Sequence, residues 1–266
     1  MTSDGPRADL VGRVALVTGG GGGIGSGIAR CLAAAGARVV VNDIDGAAAA
    51  AVAEGIATTG GLAVPAPGDV SDDEAVAQLF RDHPAVDILV NNVGVSHDGA
   101  GVLDLPLAEL DRMLALNLRS QVLCIRAGLP RMVGQGWGRI VNVSSRTWLG
   151  AAGLSFYSAS KGGVISLSRS LALETGGTGV TVNVVAPGTI RSKAFDAQSA
   201  ARQEQLRGRS PARRFGEPSD VGRAVCFLVS PAARAITGQL LHVCGGRSIY
   251  GGPMPEIDGS AARPAP

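Results

Sequence analysis

The sequence is poor in aromatic residues, with five Phe, two Trp and two Tyr making up 3% of its 266 positions. Any sizeable core must therefore be built from Ala, Val, Leu and Ile. Cysteine is scarce as well. The four, at 31, 124, 226 and 244, include no Cys-x-x-Cys pair, which argues against a disulfide framework or a zinc site, so no metal is expected. Free thiols fit a reduced, cytoplasmic setting. An excess of either charge is missing too. The net charge of +2 gives no footprint for nucleic acid or an anionic membrane. No apolar run reaches the roughly 20 residues of a membrane span. The opening MTSDGPRADL lacks the apolar stretch of a signal peptide.

What is abundant is glycine, at 39 residues, within a chain that is 45% hydrophobic. One α/β domain over 1–266 accounts for the length. Seven short apolar, β-branched runs, at 14–18, 38–41, 62–64, 87–91, 139–143, 181–185 and 239–243, read as strands covered on both faces. Helical patterns fill the gaps at 27–35, 47–56, 158–174 and 219–229, and 107–132 holds one long helix or two joined ones. The alternation predicts a Rossmann-type, doubly wound, seven-stranded parallel sheet with helices on both faces. Residues 1–10 and 250–266 read as tails. The polar, Arg-rich stretch 189–218 reads as a mobile flap over the substrate.

Between the first strand and the first helix runs Thr18-Gly19-Gly20-Gly21-Gly22-Gly23-Ile24-Gly25. Glycines there permit a tight turn and let backbone N–H groups approach a pyrophosphate at the helix N-terminus. The second strand ends at Asp43, about 20 residues past the turn, where a carboxylate accepts hydrogen bonds from ribose hydroxyls and repels a 2′-phosphate. NAD(H) is therefore expected over NADP(H), although a strand-end Asp also serves as a turn residue.

Tyr157 and Lys161 stand four residues apart, on one side of a helix. An ammonium beside a phenol favours the phenolate. Bringing tyrosine from its usual pKa of ~10 to neutrality takes roughly 4 kcal/mol. Lys161 and a nicotinamide's positive charge can share that. Alone, such a pair is more often a solvated helix face. Its company is Ser144-Ser145 at the end of the fifth strand and Asn91-Asn92-Val93-Gly94 at the end of the fourth, where ligands bind in such sheets.

These residues together resemble the short-chain dehydrogenase/reductase family over most of the chain, from Val11 to about Gly246. The glycine turn matches TGxxxGIG, residues 91–94 match NNAG with Val for Ala, and Tyr157-x-x-x-Lys161 matches YxxxK. Asp69-Val70 matches an adenine-side dipeptide. Pro187-Gly188 followed by Thr189-Ile190-Arg191-Ser192 matches the segment closing over the nicotinamide. The resemblance implies that Gly19, Gly22, Gly23, Ile24, Gly25, Asp43, Asp69, Val70, Asn92, Gly94, Pro187, Gly188, Ile190 and Ser192 hold the cofactor, with Tyr157 and Lys161. It implies a tetrad of Asn117, Ser145, Tyr157 and Lys161. In it Tyr157 moves the proton, Lys161 lowers its pKa and binds ribose, Ser145 orients the substrate oxygen, and Asn117 holds a relay water. Asn117 reads equally as a kink or capping residue. By spacing to the tyrosine the serine would be Ser144; strand-end position favours Ser145. Cys244 replaces a usual Asp and reads as a packing residue.

The expected substrate is a small secondary alcohol or ketone. Candidate contacts are Ser96, His97, Arg146, Trp148, Leu154 and Phe156, the aromatics suggesting an apolar or cyclic compound. Arg207, Arg209, Arg213 and Arg214 read as an anion attractor or, more simply, a solvated face. Rival readings are a 3-oxoacyl-thioester reductase, a lyase or epimerase on the same scaffold, and a non-catalytic NAD(H)-binding regulator. The resemblance also implies a homotetramer or homodimer.

Overall fold

The computed structural model describes residues 10–97 and 99–249. Seven strands form one parallel sheet: β1 (Val14–Val17), β2 (Arg38–Asp43), β3 (Leu62–Pro67), β4 (Ile88–Asn91), β5 (Gly138–Val143), β6 (Val180–Pro187) and β7 (Leu240–Val243). Their spatial order is β3-β2-β1-β4-β5-β6-β7. Order reverses between β1 and β4, opening the crevice at the strands' C-terminal ends where such sheets bind ligands.

Nine helices accompany the sheet among the described residues: α1 (Gly23–Ala34), α2 (Gly46–Ala57), α3 (Asp73–Asp82), α4 (Leu107–Leu114), α5 (Ser120–Gly134), α6 (Ser155–Glu174), α7 (Lys193–Asp196), α8 (Ala200–Gly208) and α9 (Pro218–Val229). Alternate strand residues feed two cores. Val17, Val41, Val90 and Val143 pack with Ile28, Leu32, Val52 and Val225 of α1, α2 and α9. Leu16, Val40, Leu89 and Ile140 pack with Val76, Leu79, Ile125 and Leu171 of α3, α5 and α6. Both faces of β1, β2, β4, β5 and β6 are thus largely removed from water, which is why those strands read as continuous apolar runs. Each fully buried Val or Leu contributes about 1.5–3 kcal/mol of transfer free energy.

The helix α1 meets α9 through glycine. A Cβ on Gly27 would lie 2.5 Å from Pro218 Cβ, and one on Gly222 would lie 2.6 Å from Cys31 Sγ. Glu217 and Asp220 form a capping box, with Pro218 in the first turn. This contact holds the start of α9 against the helix that follows the glycine turn.

Three expectations change. Leu10, assigned to a tail, is fully buried, and its N–H donates to the Ala35 carbonyl at 3.0 Å. The remaining tail positions, 1–9 and 250–266, lie outside the described residues. The flap at 189–218 contains α7 and α8 and is pinned at its base, where Ile190 bridges Gly216. The α8 segment escaped notice because it buries no residue and so shows no apolar stripe. The helix α3 was missed for a related reason: it buries only Val76 and Leu79 within a strongly polar stretch.

Candidate active site

Along the crevice lies a cavity of about 530 Å³. Its floor at one end is the glycine turn. Gly19 and Gly23 take positive φ (61° and 49°), a conformation L side chains rarely adopt. Gly25 lies against the turn's own backbone, since a Cβ there would be 2.0 Å from Gly19 O. Asn92 locks the same turn, donating from Nδ2 to Thr18 O and Gly19 O, each at 3.1 Å. Gly22 caps α1 without a side-chain hydrogen bond, and no acidic residue occupies the helix's first turn. The helix therefore presents uncapped N–H groups and an unopposed positive dipole end to the cavity, a cradle that fits a pyrophosphate.

At the end of β2, Asp43 accepts the Gly21 N–H on Oδ2 at 2.9 Å and the Asp45 N–H on Oδ1 at 3.0 Å. Beside it, Asn42, Ile44, Gly68, Asp69 and Val70 complete this end of the cavity. Asp69 Oδ1 accepts both the backbone N–H and the hydroxyl of Ser71 at 2.8 Å, so its role within the chain is a turn. Asn42 and Ile44 were not anticipated. Asn42 ties β2 to the loop after β3 through Ala66 O and Gly68 O. Ile44 is 74% exposed, a large apolar side chain left at a cavity rim, which is a signal visible only once burial is known.

The other end is lined by Val93, Gly94, Val95, Leu116, Val143, Ser144, Tyr157 and Lys161. Tyr157 sits in the first turn of α6, which begins three residues earlier than the sequence pattern suggests. Lys161 is one turn on, 2% exposed, with Nζ 3.1 Å from Val143 O and 5.9 Å from the Tyr157 ring centroid. Burial depresses its pKa to about 8. Gly94 makes room for it, because a Cβ there would stand 2.6 Å from Nζ. Tyr157 is held above the ordinary phenol range by burial, and a hydrogen bond with Ser145 acts the other way. Burial thus opposes the lowering expected from Lys161.

The two serines part company. Ser144 Oγ donates to Lys161 O at 2.8 Å and is buried. Ser145 Oγ accepts from Thr147 N and Oγ1, at 3.2 and 2.9 Å, and meets the Tyr157 hydroxyl. Asn117 lies in a single π-helical turn, Ala115–Arg119, that joins α4 to α5. Such turns concentrate at functional sites. Its Oδ1 accepts Val95 N–H at 2.7 Å, and its Nδ2 donates to Val95 O and Ser160 Oγ, each at 2.9 Å. Both amide protons are thus used to fix the loop after β4 against α6.

Some expected residues stand apart from this cavity. Pro187 ends β6, Gly188 abuts Cys244, Ile190 forms the flap's basal bridge, and Ser192 Oγ accepts the Phe195 N–H at 3.1 Å. None of them lines the cavity, nor do Ser96, His97, Arg146, Trp148, Leu154 and Phe156. Two of these are the aromatic candidates. Trp148 Nε1 donates to His242 Nε2 at 3.0 Å and borders a different cavity with Ile165 and Arg169. Phe156 is buried in the protein. Cys244 packs under Gly188, with Sγ 3.3 Å from Ser248 Oγ. No helix among the described residues is long and apolar enough to cross a membrane.

Known proteins share this arrangement. Residues 19–248 match the family described as enoyl-(acyl carrier protein) reductase. The chain is 40% identical over 244 residues to (2S)-[(R)-hydroxy(phenyl)methyl]succinyl-CoA dehydrogenase subunit BbsD of Thauera aromatica, covering 90% of this chain and 98% of that one. It is 37% identical over 243 residues to the 3-oxoacyl-[acyl-carrier-protein] reductase FabG of Aquifex aeolicus, covering 89% and 98%. Among solved structures, the 3-oxoacyl-[acyl-carrier protein] reductase of Brucella melitensis superposes with a TM-score of 0.87 at 31% identity, over 92% of this chain and 97% of that one. A Beutenbergia cavernae protein solved with bound NADP superposes at 0.84 with 37% identity, over 91% and 98%. With its sheet order, its glycine turn and these likenesses along nearly its whole length, the chain belongs to the short-chain dehydrogenase/reductase family, oxidoreductases whose fold binds a nicotinamide cofactor.

Proposed function

We propose that the protein is an NAD(H)-dependent oxidoreductase that interconverts a secondary alcohol and a ketone, with Tyr157 as general acid and base. The observation that carries this reading is that Tyr157 and buried Lys161, one helix turn apart, line one end of a cavity whose other end is an uncapped helix N-terminus. A bound nicotinamide supplies the hydride chemistry. Gly19, Gly22, Gly23, Ile24 and Gly25 would cradle its pyrophosphate, and Asn92 and Gly94 would shape the turn and the floor. Asp69 and Val70 would border the adenine; Pro187, Gly188, Ile190 and Ser192 would close over the nicotinamide.

Asp43 supports NAD over NADP. Its carboxylate is fixed by the Gly21 and Asp45 N–H groups at the edge of the cavity, and a 2′-phosphate brought there meets an unneutralised negative charge. The chain's own part in the reaction is protonic. Ser145 holds the substrate oxygen against the Tyr157 hydroxyl, which donates a proton in reduction and accepts one in oxidation. Lys161, pinned by Val143 O, lies where it can hold ribose hydroxyls and favour the phenolate. Asn117 keeps the β4 loop in place. A relay water there would use the second lone pair of Oδ1 or a backbone carbonyl, because both amide protons are taken.

A more specific version, reduction of a 3-oxoacyl thioester or oxidation of the corresponding hydroxyacyl thioester, is favoured by the Thauera and Aquifex relatives, a succinyl-CoA dehydrogenase subunit and a 3-oxoacyl-[acyl-carrier-protein] reductase. Soluble assembly as a homodimer or homotetramer in the cytoplasm accompanies this reading. The test is spectrophotometric: NADH and NADPH oxidation with ketones and 3-oxoacyl thioesters, in the wild type and in Tyr157→Phe. Turnover with NADH that drops at least a hundredfold in the variant, with NADH binding retained, supports the proposal. Near-normal turnover in the variant refutes it, and tight NADH binding without turnover of any substrate favours the regulator.

A further inference from the structure

Arg146, Arg202, Arg209 and Arg247 gather where the turn after β5, the loop after β7 and the flap meet. Arg146 directly follows Ser145 and opens the short turn Arg146–Leu149. The Trp148–His242 hydrogen bond ties that turn to β7. Arg247 lies just past β7 and donates from Nη1 to Thr189 Oγ1 at 2.5 Å, next to Pro187-Gly188. Arg202 lies on α8, and Arg209 ends it. The flap behind them is clasped to the same loop, because Ser210 Oγ and Ala212 N–H both donate to Gly245 O, at 3.1 and 3.0 Å.

Among the described residues none of the four arginines forms an ion pair. Arg247 Nε is buried without a hydrogen-bond partner. Burial, then the fields of Arg146 and Arg209, push Arg247 below the ordinary guanidinium range. The basic surface on the other side of the flap differs. There Arg191 pairs with Asp196 at 3.0 Å, Arg207 with Glu204 at 2.6 Å and Arg223 with Asp220 at 2.5 Å. Like charges without an ion pair among the described residues repel one another, and a bound anion offsets that repulsion. Guanidinium forks match the oxygens of carboxylate and phosphate groups, which an ammonium cannot do.

We propose that Arg146 and Arg247, with Arg209 and Arg202 reaching from the flap, form an anion subsite of the substrate pocket. The ketone or alcohol accordingly carries a carboxylate or phosphate group on the flap side of its reacting carbon. The assignment rests on the reading of Tyr157 and Ser145 as the reacting end.

Two measurements keep this proposal and the redox reading apart. The first is calorimetric titration of the NADH complex with succinate, inorganic phosphate and neutral succinamide. Succinate or phosphate should bind, succinamide should not, and the double substitution Arg146→Gln, Arg247→Gln should weaken the anion at least tenfold. Arg209→Gln, on the exposed flap, serves if the double variant does not fold. The second is turnover of two matched pairs: acetoacetate against ethyl acetoacetate, and acetoacetyl-CoA against its N-acetylcysteamine thioester. The wild type should prefer the charged member of one pair at least tenfold in kcat/KM, and the variant should lose that preference. A preference within the first pair identifies a carboxylate, within the second a phosphate of the carrier arm. Absence of anion binding, or equal use of charged and neutral partners, overturns the subsite and leaves the redox reading standing. Anion binding without turnover of any compound overturns the redox reading and not the subsite.

Discussion

The Asp43 carboxylate accepts the Gly21 N–H at 2.9 Å, and a Cβ on Gly21 would come within 2.8 Å of that same oxygen. The residue proposed to choose the cofactor is thus also the residue that sets the curvature of the phosphate-binding turn. It has no room for any side chain opposite it.

Gly21→Ala should therefore disturb cofactor binding while sparing the tyrosine end. The new methyl also meets Ala48 Cβ at 2.9 Å, so the turn and α2 must separate. A rise of about tenfold in KM for NADH, roughly 1.4 kcal/mol, with kcat within twofold, is expected from initial-rate kinetics. An unchanged KM would show that the turn yields without affecting the site.

Asp43→Ser removes the charge that repels a 2′-phosphate, and it removes the acceptors for Gly21 and Asp45. The ratio of kcat/KM for NADH to that for NADPH should fall by at least tenfold. Because two N–H groups lose their partners, stability should also fall by about 1–3 kcal/mol in urea unfolding. A ratio that stays fixed would remove Asp43 from cofactor choice.

Ser144 and Ser145 should fail differently. Ser145→Ala deletes the hydroxyl that meets Tyr157, so kcat should fall 10²-fold or more with little change in melting temperature. Ser144→Ala deletes a buried bond to Lys161 O, and should cost about 1 kcal/mol of stability with a smaller effect on kcat. The reverse pattern would assign the substrate oxygen to Ser144.

Lys161 gives a pH signature in the cofactor-free protein. Its folded pKa, about 8, lies below the unfolded value of about 10.4. Between those values the unfolded chain binds more protons than the native one, so stability from this group rises with pH. Below pH 8 the full burial penalty is present. The stability of wild type minus that of Lys161→Met should therefore increase across pH 8 to 10, by up to about 1.4 kcal/mol per pH unit. A flat difference would mean that the lysine is not buried as a charge.

Much of the fold could be read from local pattern. Runs such as Val14–Val17 and Ile88–Asn91 announce strands because both faces must be apolar, and the α1 and α2 stretches are rich in Ala and small apolar residues. Elements with little buried surface escaped: α8 buries no residue and α3 only two. The exchange of Leu10 from tail to core has the same cause, since a lone apolar residue carries no period.

The sequence by itself determined the strand–helix alternation, the glycine turn and the Tyr157/Lys161 spacing, because each is written over a few neighbouring positions. Only the tertiary structure decided that Ser144 is tied to Lys161 O and Ser145 to Thr147, that Lys161 is anchored on Val143 O, and that Asn117 braces Val95 and Ser160 from a π turn. It also decided that Arg146 and Arg247, about a hundred positions apart in the chain, lie near enough to repel one another, with no ion pair to either among the described residues. Such partnerships depend on how the strand ends and the flap pack together. Packing of that kind links positions whose separation along the chain carries no local signal.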